Sequence, residues 1–436
     1  MKSVDKNDLF AVLSDWNPWR QGLRTGTERT SYLERMSLLM ETNQILVVTG
    51  PRRAGKSFLM RQYAARLIRS GVAVSRILMV NLEDPRLGKL TAESLESIYR
   101  TYLEFLNPAG KPFIFFDEIQ EVEGWEKWVM TMHDLGKARF VVSGSNAKLL
   151  SKELGTLLTG RHVTLPVYPL SYAELEVFQN GGQKGGEDDE MHRSRRLREA
   201  LEWGGFPEVF QTPLDAKKTL LLQYFDDVLN KDLIRRQKIR KAESLRGLAR
   251  YYFTNIACPI TFNAVERFLK ITAGTAEKFS SYFEDAYLFF FLKRFSFKVK
   301  EQEKSPRKVY AVDTGLANAV GFRTGPNTGR LAENWVFLEL LKRRKEAQDF
   351  EIYYWKDPQH REVDFVIKRG NRAMELIQVC WDTSQPDTKR REVASLLKGM
   401  EELKIAEATI LTESEEATEE IKGKSIRFMP LWKWLR

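Results

Sequence analysis

Residues 44–57 read Gln-Ile-Leu-Val-Val-Thr-Gly-Pro-Arg-Arg-Ala-Gly-Lys-Ser, and this stretch decides the fold of the N-terminal part. Its first half, Gln44–Thr49, is largely apolar, which is typical of a strand buried on both faces of a sheet. Its second half, Gly50–Ser57, has the spacing Gly-x-x-x-x-Gly-Lys-Ser, and a helical pattern follows to about Ser70. A buried strand, a glycine-bounded loop and a helix in this order predict an α/β fold.

The same alternation of strand and helix continues along the chain. After a helical lead-in at Glu28–Glu41, further strands are predicted at Arg76–Asp84, Phe113–Phe116, Ala138–Val142 and His162–Val167, and helices at Leu95–Leu106 and Trp125–Leu135. Because alternating elements of this kind form parallel sheets covered by helices on both faces, the chain is expected to be doubly wound to about residue 170. We take residues 1–172 as one domain.

The loop Gly50–Ser57 has the residue types that phosphate binding requires. Gly50 and Gly55 let the backbone wrap a phosphate with its N–H groups pointing inward, and the positive end of the following helix adds to the attraction. Lys56 is predicted to reach the β- and γ-phosphates of a nucleotide, and the Ser57 hydroxyl to ligate Mg²⁺. The remaining predicted nucleotide contacts come from the loop and the start of the helix: Pro51, Arg52, Arg53, Ala54 and Phe58.

A second motif lies about sixty residues downstream. The apolar strand at Phe113 ends in Asp117-Glu118, and ligands of open α/β sheets bind at the carboxyl ends of the strands. Asp117 is suited to hold the Mg²⁺ shell, and Glu118 to polarise an attacking water as general base. Ser145 or Asn146, at the end of the next strand, would lie beside the γ-phosphate and orient that water; the alternative is a turn that caps the next helix.

Composition sets the limits for the whole chain of 436 residues. This length implies two to four domains, and 43% hydrophobic and 29% charged residues are ordinary for a folded soluble protein. The two cysteines, Cys258 and Cys380, support neither a disulfide framework nor a zinc site and fit a reducing cytoplasm. No secretory signal or run long enough to cross a membrane is evident. The net charge of +10 favours polyanionic partners but also suits a basic enzyme without a nucleic-acid role.

The middle of the chain changes character. Residues 180–196 combine Gly-Gly pairs with acidic and basic runs and are predicted to be a mobile surface insertion. Leu197–Ile239 is predicted to be helical, with an interruption at Trp203-Gly204-Gly205-Phe206-Pro207. Residues 241–315 have the pattern of a winged helix-turn-helix, with helices at Leu245–Asn255, Phe262–Leu269 and Thr275–Ala286.

The wing of this domain is predicted at Leu292–Lys300, paired with Lys308–Val312. Its lysines and one on the recognition helix are candidate contacts to DNA phosphates: Lys278, Lys293, Lys298 and Lys300. A winged helix that only packs against protein is the alternative.

The C-terminal part, residues 329–436, resembles the restriction-endonuclease-like α/β fold. In that fold a strand carries Asp and the next carries Glu-x-Lys, and Glu333 and Asp364 match the acidic positions. The Glu-x-Lys positions hold Gln378-Val379-Cys380, however, and a neutral amide is a poor Mg²⁺ ligand while cysteine cannot replace an ammonium. We therefore expect this domain to lack nuclease chemistry.

Taken together, the motifs resemble the AAA-type ATPases of bacteria and archaea, in the subgroup with a C-terminal domain of uncharacterised function. The resemblance rests on the two nucleotide motifs, on Ser143-Gly144-Ser145-Asn146 and Gly160-Arg161, and on Pro169-Leu170-Ser171 and Gly204–Pro207. It implies a five-stranded core sheet, a helical lid over residues 173–240, and assembly into a homo-oligomeric ring, for which a hexamer is one size. It also makes Arg161 the first candidate for an arginine finger, with Arg52, Arg53 and a lid arginine as competitors.

The expected function is Mg²⁺-dependent ATP binding and hydrolysis, coupled to work on DNA or on a DNA-bound partner. A signalling or assembly switch with slow hydrolysis is the alternative from another class, and a Mg²⁺-dependent nuclease is the third.

Overall fold

The computed structural model describes residues 5–145, 160–179, 190–322, 325, 327–347 and 350–436. The chain divides into two compact units, Met1–Val167 and Tyr168–Arg436. Among the helices described, none combines the length and the apolar character that crossing a bilayer requires.

The first unit is built on a parallel five-stranded sheet. Its strands are β1 (Ile45–Thr49), β2 (Ile77–Asn81), β4 (Phe113–Asp117), β6 (Arg139–Gly144) and β7 (His162–Pro166), and two short strands, β3 (Leu90–Thr91) and β5 (Val122–Glu123), pair separately. The order is β2-β4-β6-β1-β7 with every pair parallel. The predicted parallel α/β sheet is confirmed, and β6 lies between the strands that carry the two motifs.

Side-chain alternation along each strand sends residues to two separate cores, one on each face of the sheet. Val47, Val80 and Phe116 belong to the first core, and Val48, Met79 and Phe115 to the second. The helices Lys6–Trp16, Ala92–Leu106 and Trp125–Asp134 contribute to the first face, and Thr30–Glu41 and Lys56–Arg69 to the second. All five residues of β1 are buried, as expected for a central parallel strand.

The exposed edge of β2 is covered by the segment that follows the first helix. The Asn17 amide donates to Met79 O and accepts from Met79 N, both at 2.7 Å. Trp19 Nε1 donates to Ile77 O at 2.8 Å. Asn17 therefore makes with β2 the pair of hydrogen bonds that a neighbouring strand would make, and the edge is closed.

The second unit begins with helices Tyr172–Gln179, Glu190–Trp203, Pro207–Gln211 and Leu214–Asp227, the last continuing as a π-helix over Val228–Arg235. The structure corrects the C-terminal bound of the insertion predicted over residues 180–196. Residues 190–196 are part of a regular helix, whose Leu197 and Leu201 are buried, while residues 180–189 lie outside the described residues.

Next come the helices Ala242–Thr254, Phe262–Leu269 and Ala273–Asp285 with three strands, β8 (Pro259–Ile260), β9 (Phe289–Leu292) and β10 (Arg307–Ala311). The strands form an antiparallel sheet in the order β8-β10-β9. The predicted wing strand Leu292–Lys300 is wrong beyond its first residue, because β9 ends at Leu292 and Val299–Lys304 is a helix. This helix contains only Val, Lys, Glu and Gln, and Lys, Glu and Gln are good helix formers.

The helix Thr328–Ala347 leads into a mixed six-stranded sheet. Its strands are β11 (Glu351–Lys356), β12 (Glu362–Arg369), β13 (Arg372–Val379), β14 (Glu407–Thr412), β15 (Ala417–Ile421) and β16 (Lys424–Pro430), with the helix Pro386–Glu402 between β13 and β14. The order is β11-β12-β13-β14-β16-β15. β11, β12 and β13 are antiparallel neighbours, whereas β13–β14 and β14–β16 are parallel.

A buried carboxylate joins the Gly204-Gly205 turn to the short helix Thr314–Val320. Asp313 is 1% exposed and accepts from Gly205 N at 2.7 Å and from Leu316 N at 3.0 Å. Gly204 has φ +79°, and a Cβ there would stand 2.1 Å from Asp313 Oδ1, so a side chain does not fit. Burial raises the pKa of Asp313 to about 6 against the effect of these N–H donors.

Candidate nucleotide site

The loop between β1 and the helix Lys56–Arg69 has a backbone that only glycine allows at two points. Gly50 has φ +138°, and a Cβ on it would lie 2.0 Å from Val167 O. Gly55, at φ +95°, immediately precedes the helix. The loop therefore closes tightly against the end of β7, and the N–H groups of the first helical turn remain at its mouth.

Lys56 is folded into this loop. Its ammonium donates to Gly50 O and Pro51 O, each at 3.0 Å, and the residue is 4% exposed. Both acceptors are neutral carbonyls, so the positive charge is not cancelled by a carboxylate at these contacts. The predicted phosphate-binding charge thus lies inside the loop.

The two carboxylates of the second motif end β4, beside the loop. Ser143, on the neighbouring strand β6, donates from its hydroxyl to Asp117 Oδ1, and Ser143 Oγ itself accepts from Glu118 N at 3.1 Å. Burial and then the neighbouring Glu118 raise the pKa of Asp117, while hydrogen bonds from Ser143 and Ser57 and the charge of Lys56 act to lower it. Asp117, Ser57 and Lys56 therefore lie close together beside the loop.

Glu118 has an unusual backbone for a glutamate. Its φ is +54°, which turns the chain away from the strand, and Gln120 Nε2 donates to Glu118 Oε2 at 2.5 Å. A non-glycine residue in the left-handed region costs free energy and is frequent at functional sites. The side chain is held at the carboxyl edge of the sheet by its own turn.

Ser143 is a residue that the sequence analysis missed. From the polar run Ser143–Asn146, the sequence analysis selected Ser145 and Asn146 as the candidates that orient the attacking water. Ser145 is buried at 1% exposure, and Asn146 lies outside the described residues. Ser143 is fully buried and pairs with Val48 in the sheet, which sets its hydroxyl beside Asp117. The signal was its place in the run Ser143–Asn146, directly after the strand predicted at Ala138–Val142.

A buried arginine supports the loop from the N-terminal side and was also missed. Arg29 is 3% exposed and donates from Nη1 to Ala54 O at 2.9 Å, and its backbone N–H donates to Gln62 Oε1 at 3.1 Å. Gln62 in turn donates to Thr25 O at 2.8 Å and Thr27 O at 2.7 Å. The segment before the first β-strand is thus hydrogen-bonded to both the loop and its helix.

The other predicted nucleotide contacts differ in their surroundings. Arg52 reaches Glu83 Oε1 at 3.2 Å with both terminal nitrogens, Arg53 has φ +65°, and Phe58 is 48% exposed. A small cavity of about 20 Å³ lies beside Ser57 and Asp117, lined also by Trp16 and Arg61.

Arg161 lies at the opposite edge of the sheet. It directly precedes β7, its carbonyl accepts from Ile45 N at the start of β1, and its guanidinium contacts Asp134 Oδ1 at 3.0 Å. The loop Gly50–Ser57 and Glu118 follow the carboxyl ends of their strands. Five residues of parallel strand, about 16 Å, separate these edges, so Arg161 cannot reach the loop of its own subunit from this position.

Comparison with known proteins agrees with this geometry. A family profile described as an AAA domain matches residues 42–176, and two domains of unknown function match 194–327 and 328–434. An uncharacterized protein of Methanocaldococcus jannaschii is 32% identical over 408 residues, covering 90% of this chain and 88% of its own. The chain belongs to the AAA-type P-loop ATPase family.

Other relatives of this AAA-type protein are more distant. An uncharacterized protein of Haemophilus influenzae is 29% identical over 362 residues, covering 81% of this chain and 86% of its own. Among solved structures, the Walker-type ATPase of Pyrococcus abyssi matches with a TM-score of 0.47 and 15% identity, over 68% of this chain and 98% of that one.

The DNA-contact candidates of this AAA-type protein do not form one surface of unpaired charge. Lys278 is exposed on the helix Ala273–Asp285, with its ammonium 5.8 Å from the Tyr282 ring centroid. Lys293 pairs with Glu303 at 2.5 Å and Lys298 with Glu301 at 3.1 Å. Lys300 is exposed on the helix that replaces the predicted wing strand.

The nuclease-like candidates are partly assembled. Glu333 and Asp364 meet around the ammonium of Lys308, a residue that the sequence analysis did not connect with them. Gln378 donates to Glu392 Oε2 at 2.7 Å and accepts from Asp364 N at 3.0 Å. Cys380 instead lies in the core under the six-stranded sheet, and burial raises the pKa of its thiol to about 11.

Proposed function

We propose that this AAA-type protein binds ATP with Mg²⁺ and hydrolyses it at the site formed by Gly50–Ser57, Asp117 and Glu118. The observation that carries the proposal is the meeting of Lys56, Ser57 and Asp117 beside a loop that ends in a helix N-terminus. A hydroxyl and a carboxylate within hydrogen-bond reach of each other form the oxygen donor pair that Mg²⁺ takes from a protein when phosphates supply further ligands.

Each residue then has one task. Lys56 and the loop N–H groups bind the β- and γ-phosphates, and Ser57 and Asp117 hold Mg²⁺, which neutralises charge on the phosphates. Glu118 takes the proton of the attacking water, and the Gln120 amide orients its carboxylate. Ser143 holds Asp117 and the turn of Glu118 in one arrangement, so that metal ligand and base keep a fixed spacing.

Turnover and nucleotide affinity, measured on three variants, test this assignment. Lys56→Ala should weaken ATP binding because a phosphate-facing charge is lost. Glu118→Gln should bind ATP normally and lose about 10²–10⁴ in turnover, since the metal ligands survive and only the base is removed. Glu123→Gln, the same chemical change on an exposed strand residue nearby, is the matched control and should behave as wild type. Equal loss of ATP affinity in the Lys56 and Glu118 variants would show that the base is misassigned.

We further propose that the protein forms a homo-oligomeric ring in which Arg161 contacts the nucleotide of a neighbouring subunit. The position of Arg161 at the sheet edge away from its own loop supports this proposal, and its guanidinium, which pairs with Asp134, is 45% exposed. An arginine finger supplied from outside neutralises charge on the transferring phosphoryl group.

For the second unit, we propose a winged helix over residues 241–315 and an inactive nuclease-like domain over residues 329–436. The element order helix, strand, helix, helix, strand, helix, strand supports the first, and the three antiparallel strands followed by parallel β14 support the second. DNA is the proposed partner, on the net charge of +10 and the exposure of Lys278. An ATPase rate that DNA stimulates severalfold favours this over a slow switch, whose rate DNA should leave unchanged.

A further inference from the structure

The side chain of Lys308 is enclosed by carboxylates from two other elements. Its ammonium lies 2.8 Å from Glu333 Oε1, 2.7 Å from Glu362 Oε1 and 2.8 Å from Asp364 Oδ1. Lys308 is on β10 of the three-stranded sheet, Glu333 on the helix Thr328–Ala347, and Glu362 and Asp364 on β12 of the six-stranded sheet. The lysine side chain is 1% exposed. We call these four side chains the Lys308 cluster.

Two lysine ammonium groups face the acidic side chains of the cluster. Burial, and next the neighbouring Asp364, raise the pKa of Glu333 above its ordinary value. Burial acts to lower the pKa of Lys308, but the carboxylates outweigh it and the pKa is raised well above its ordinary range. Glu362 has a second ammonium partner, Lys356, at 2.8 Å from Oε2. Two ammonium groups, those of Lys308 and Lys356, thus face three carboxyl groups.

Further hydrogen bonds tie Asp364 and Glu333 to the surrounding protein. Asp364 Oδ2 accepts from Val379 N at 3.0 Å, and Glu333 Oε1 also accepts from the Tyr310 hydroxyl at 2.7 Å. Next to Tyr310 on β10, Ala311 exchanges two hydrogen bonds with the side-chain amide of Asn334, at 2.7 Å and 2.9 Å. The Lys308 side chain contacts both elements that carry the carboxylates, and the backbone of its strand β10 is also hydrogen-bonded to the helix Thr328–Ala347.

We propose that the Lys308 ammonium is the resident cation of this cluster, standing where a divalent metal would sit, and that it fixes the three-stranded sheet to the six-stranded sheet. Removing one member of a buried ion pair leaves the remaining charges uncompensated, which is strongly destabilising. The proposal concerns residues outside the nucleotide site and is independent of ATP hydrolysis.

The test compares Lys308→Ala, Lys308→Met and Lys356→Ala by thermal unfolding without nucleotide, with and without Mn²⁺. Lys356 contacts the same Glu362 but is 28% exposed, so it is the matched control. Both Lys308 variants should unfold about 5–15 °C below wild type, and Lys356→Ala within a few degrees of it. Mn²⁺ should restore part of the loss only in Lys308→Ala, because alanine leaves room for the ion and methionine fills it.

Two outcomes overturn the proposal even if one variant does not fold. The first is Mn²⁺ binding to the wild-type protein, measured by electron paramagnetic resonance, that Asp364→Asn removes, since a metal would then be the resident cation. The second is a folded Lys308→Ala protein whose stability equals that of Lys356→Ala or is unaffected by Mn²⁺. If Lys308→Ala fails to fold, the wild-type measurement decides, and absence of Asp364-dependent Mn²⁺ binding supports the lysine. Because ATP turnover is not the readout, failure here leaves the proposed ATPase untouched.

Discussion

Replacing Ser143 by alanine removes two hydrogen bonds at the centre of the proposed nucleotide site. The hydroxyl donates to Asp117 and accepts from Glu118 N, and the residue is fully buried. A hydrogen bond to a charged group contributes about 1.5–3 kcal/mol, and a buried N–H left without an acceptor costs about 1–3 kcal/mol. The pKa of Asp117, already raised, should rise further, because Ser143 is a group that lowers it.

The sign of the resulting pH dependence follows from the role of Asp117, which holds Mg²⁺ only when ionised. A loss of about 1.5–3 kcal/mol corresponds to about one to two pH units. The acid limb of the ATPase rate, followed from pH 5 to 9 with a phosphate-release assay, should therefore move to higher pH by about that amount in Ser143→Ala. The Mg²⁺ concentration needed for half-maximal rate should rise as well.

Two matched variants separate this effect from general damage. Ser143→Thr keeps the hydroxyl and should retain the wild-type acid limb, even if its added methyl lowers stability. Ser145→Ala removes a buried hydroxyl two residues further along the chain and leaves the Ser143 hydroxyl in place. An acid limb in Ser143→Ala that coincides with wild type would refute the reasoning, whatever the change in the maximal rate.

Four further outcomes are expected. Arg161→Ala and Glu118→Gln proteins, each inactive alone, should regain part of the wild-type ATPase rate when mixed into joint oligomers. If mass spectrometry finds the mixed oligomers and no activity returns, Arg161 does not act on a neighbour. DNA binding should be sequence-tolerant and salt-sensitive. Substituting Lys298 and Lys300 together should reduce the slope of log affinity against log salt concentration by roughly one to two. No binding at low salt would mean that the winged helix packs only against protein. The pure protein should not cleave DNA or RNA with Mg²⁺ or Mn²⁺, as followed on labelled substrates, and metal-dependent cleavage would contradict the inactive assignment. Because the pKa of Asp313 is raised from 3.8 to about 6, the stability it contributes is full below about pH 4 and is lost as pH rises through 6, by about 3 kcal/mol in all. In Asp313→Asn, the free energy of unfolding measured with urea should not fall over this pH range. If it falls as steeply as in the wild type, other groups cause the pH dependence.

The parallel sheet could be predicted because the residues that specify each strand and its motif are adjacent in the sequence. β1 and the loop after it are adjacent in the sequence, and the strand that ends in Asp117 is a continuous apolar run. Both motifs follow the carboxyl ends of predicted parallel strands, so their placement at one edge of the sheet could also be predicted. Which hydroxyl at the end of β6 meets Asp117 depends on the register of a strand buried on both faces, and no alternation marks that register. Ser143 was missed for this reason.

The second unit was harder to predict because its decisive contacts join distant residues. Lys308 meets Glu333 and Asp364 across 25 and 56 residues, and nothing in its own neighbourhood distinguishes it from the wing lysines. The wing itself was extended too far. After Leu292 the apolar-polar alternation continues in the sequence, but Ser296 accepts from Lys298 N, and the charged run that follows forms a helix rather than a strand.

The segment that covers β2 has a consequence for how the ATPase part can be studied in isolation. Similarity to other AAA domains begins at residue 42, and a fragment cut there would lose Asn17, Trp19 and Arg29. Met79 would then present an unpaired backbone at the margin of the sheet, where strands of other molecules add readily, and the phosphate loop would lose its bond to Arg29. A fragment that precipitates or fails to bind nucleotide would therefore report a badly chosen boundary, and a fragment for expression should begin before residue 5.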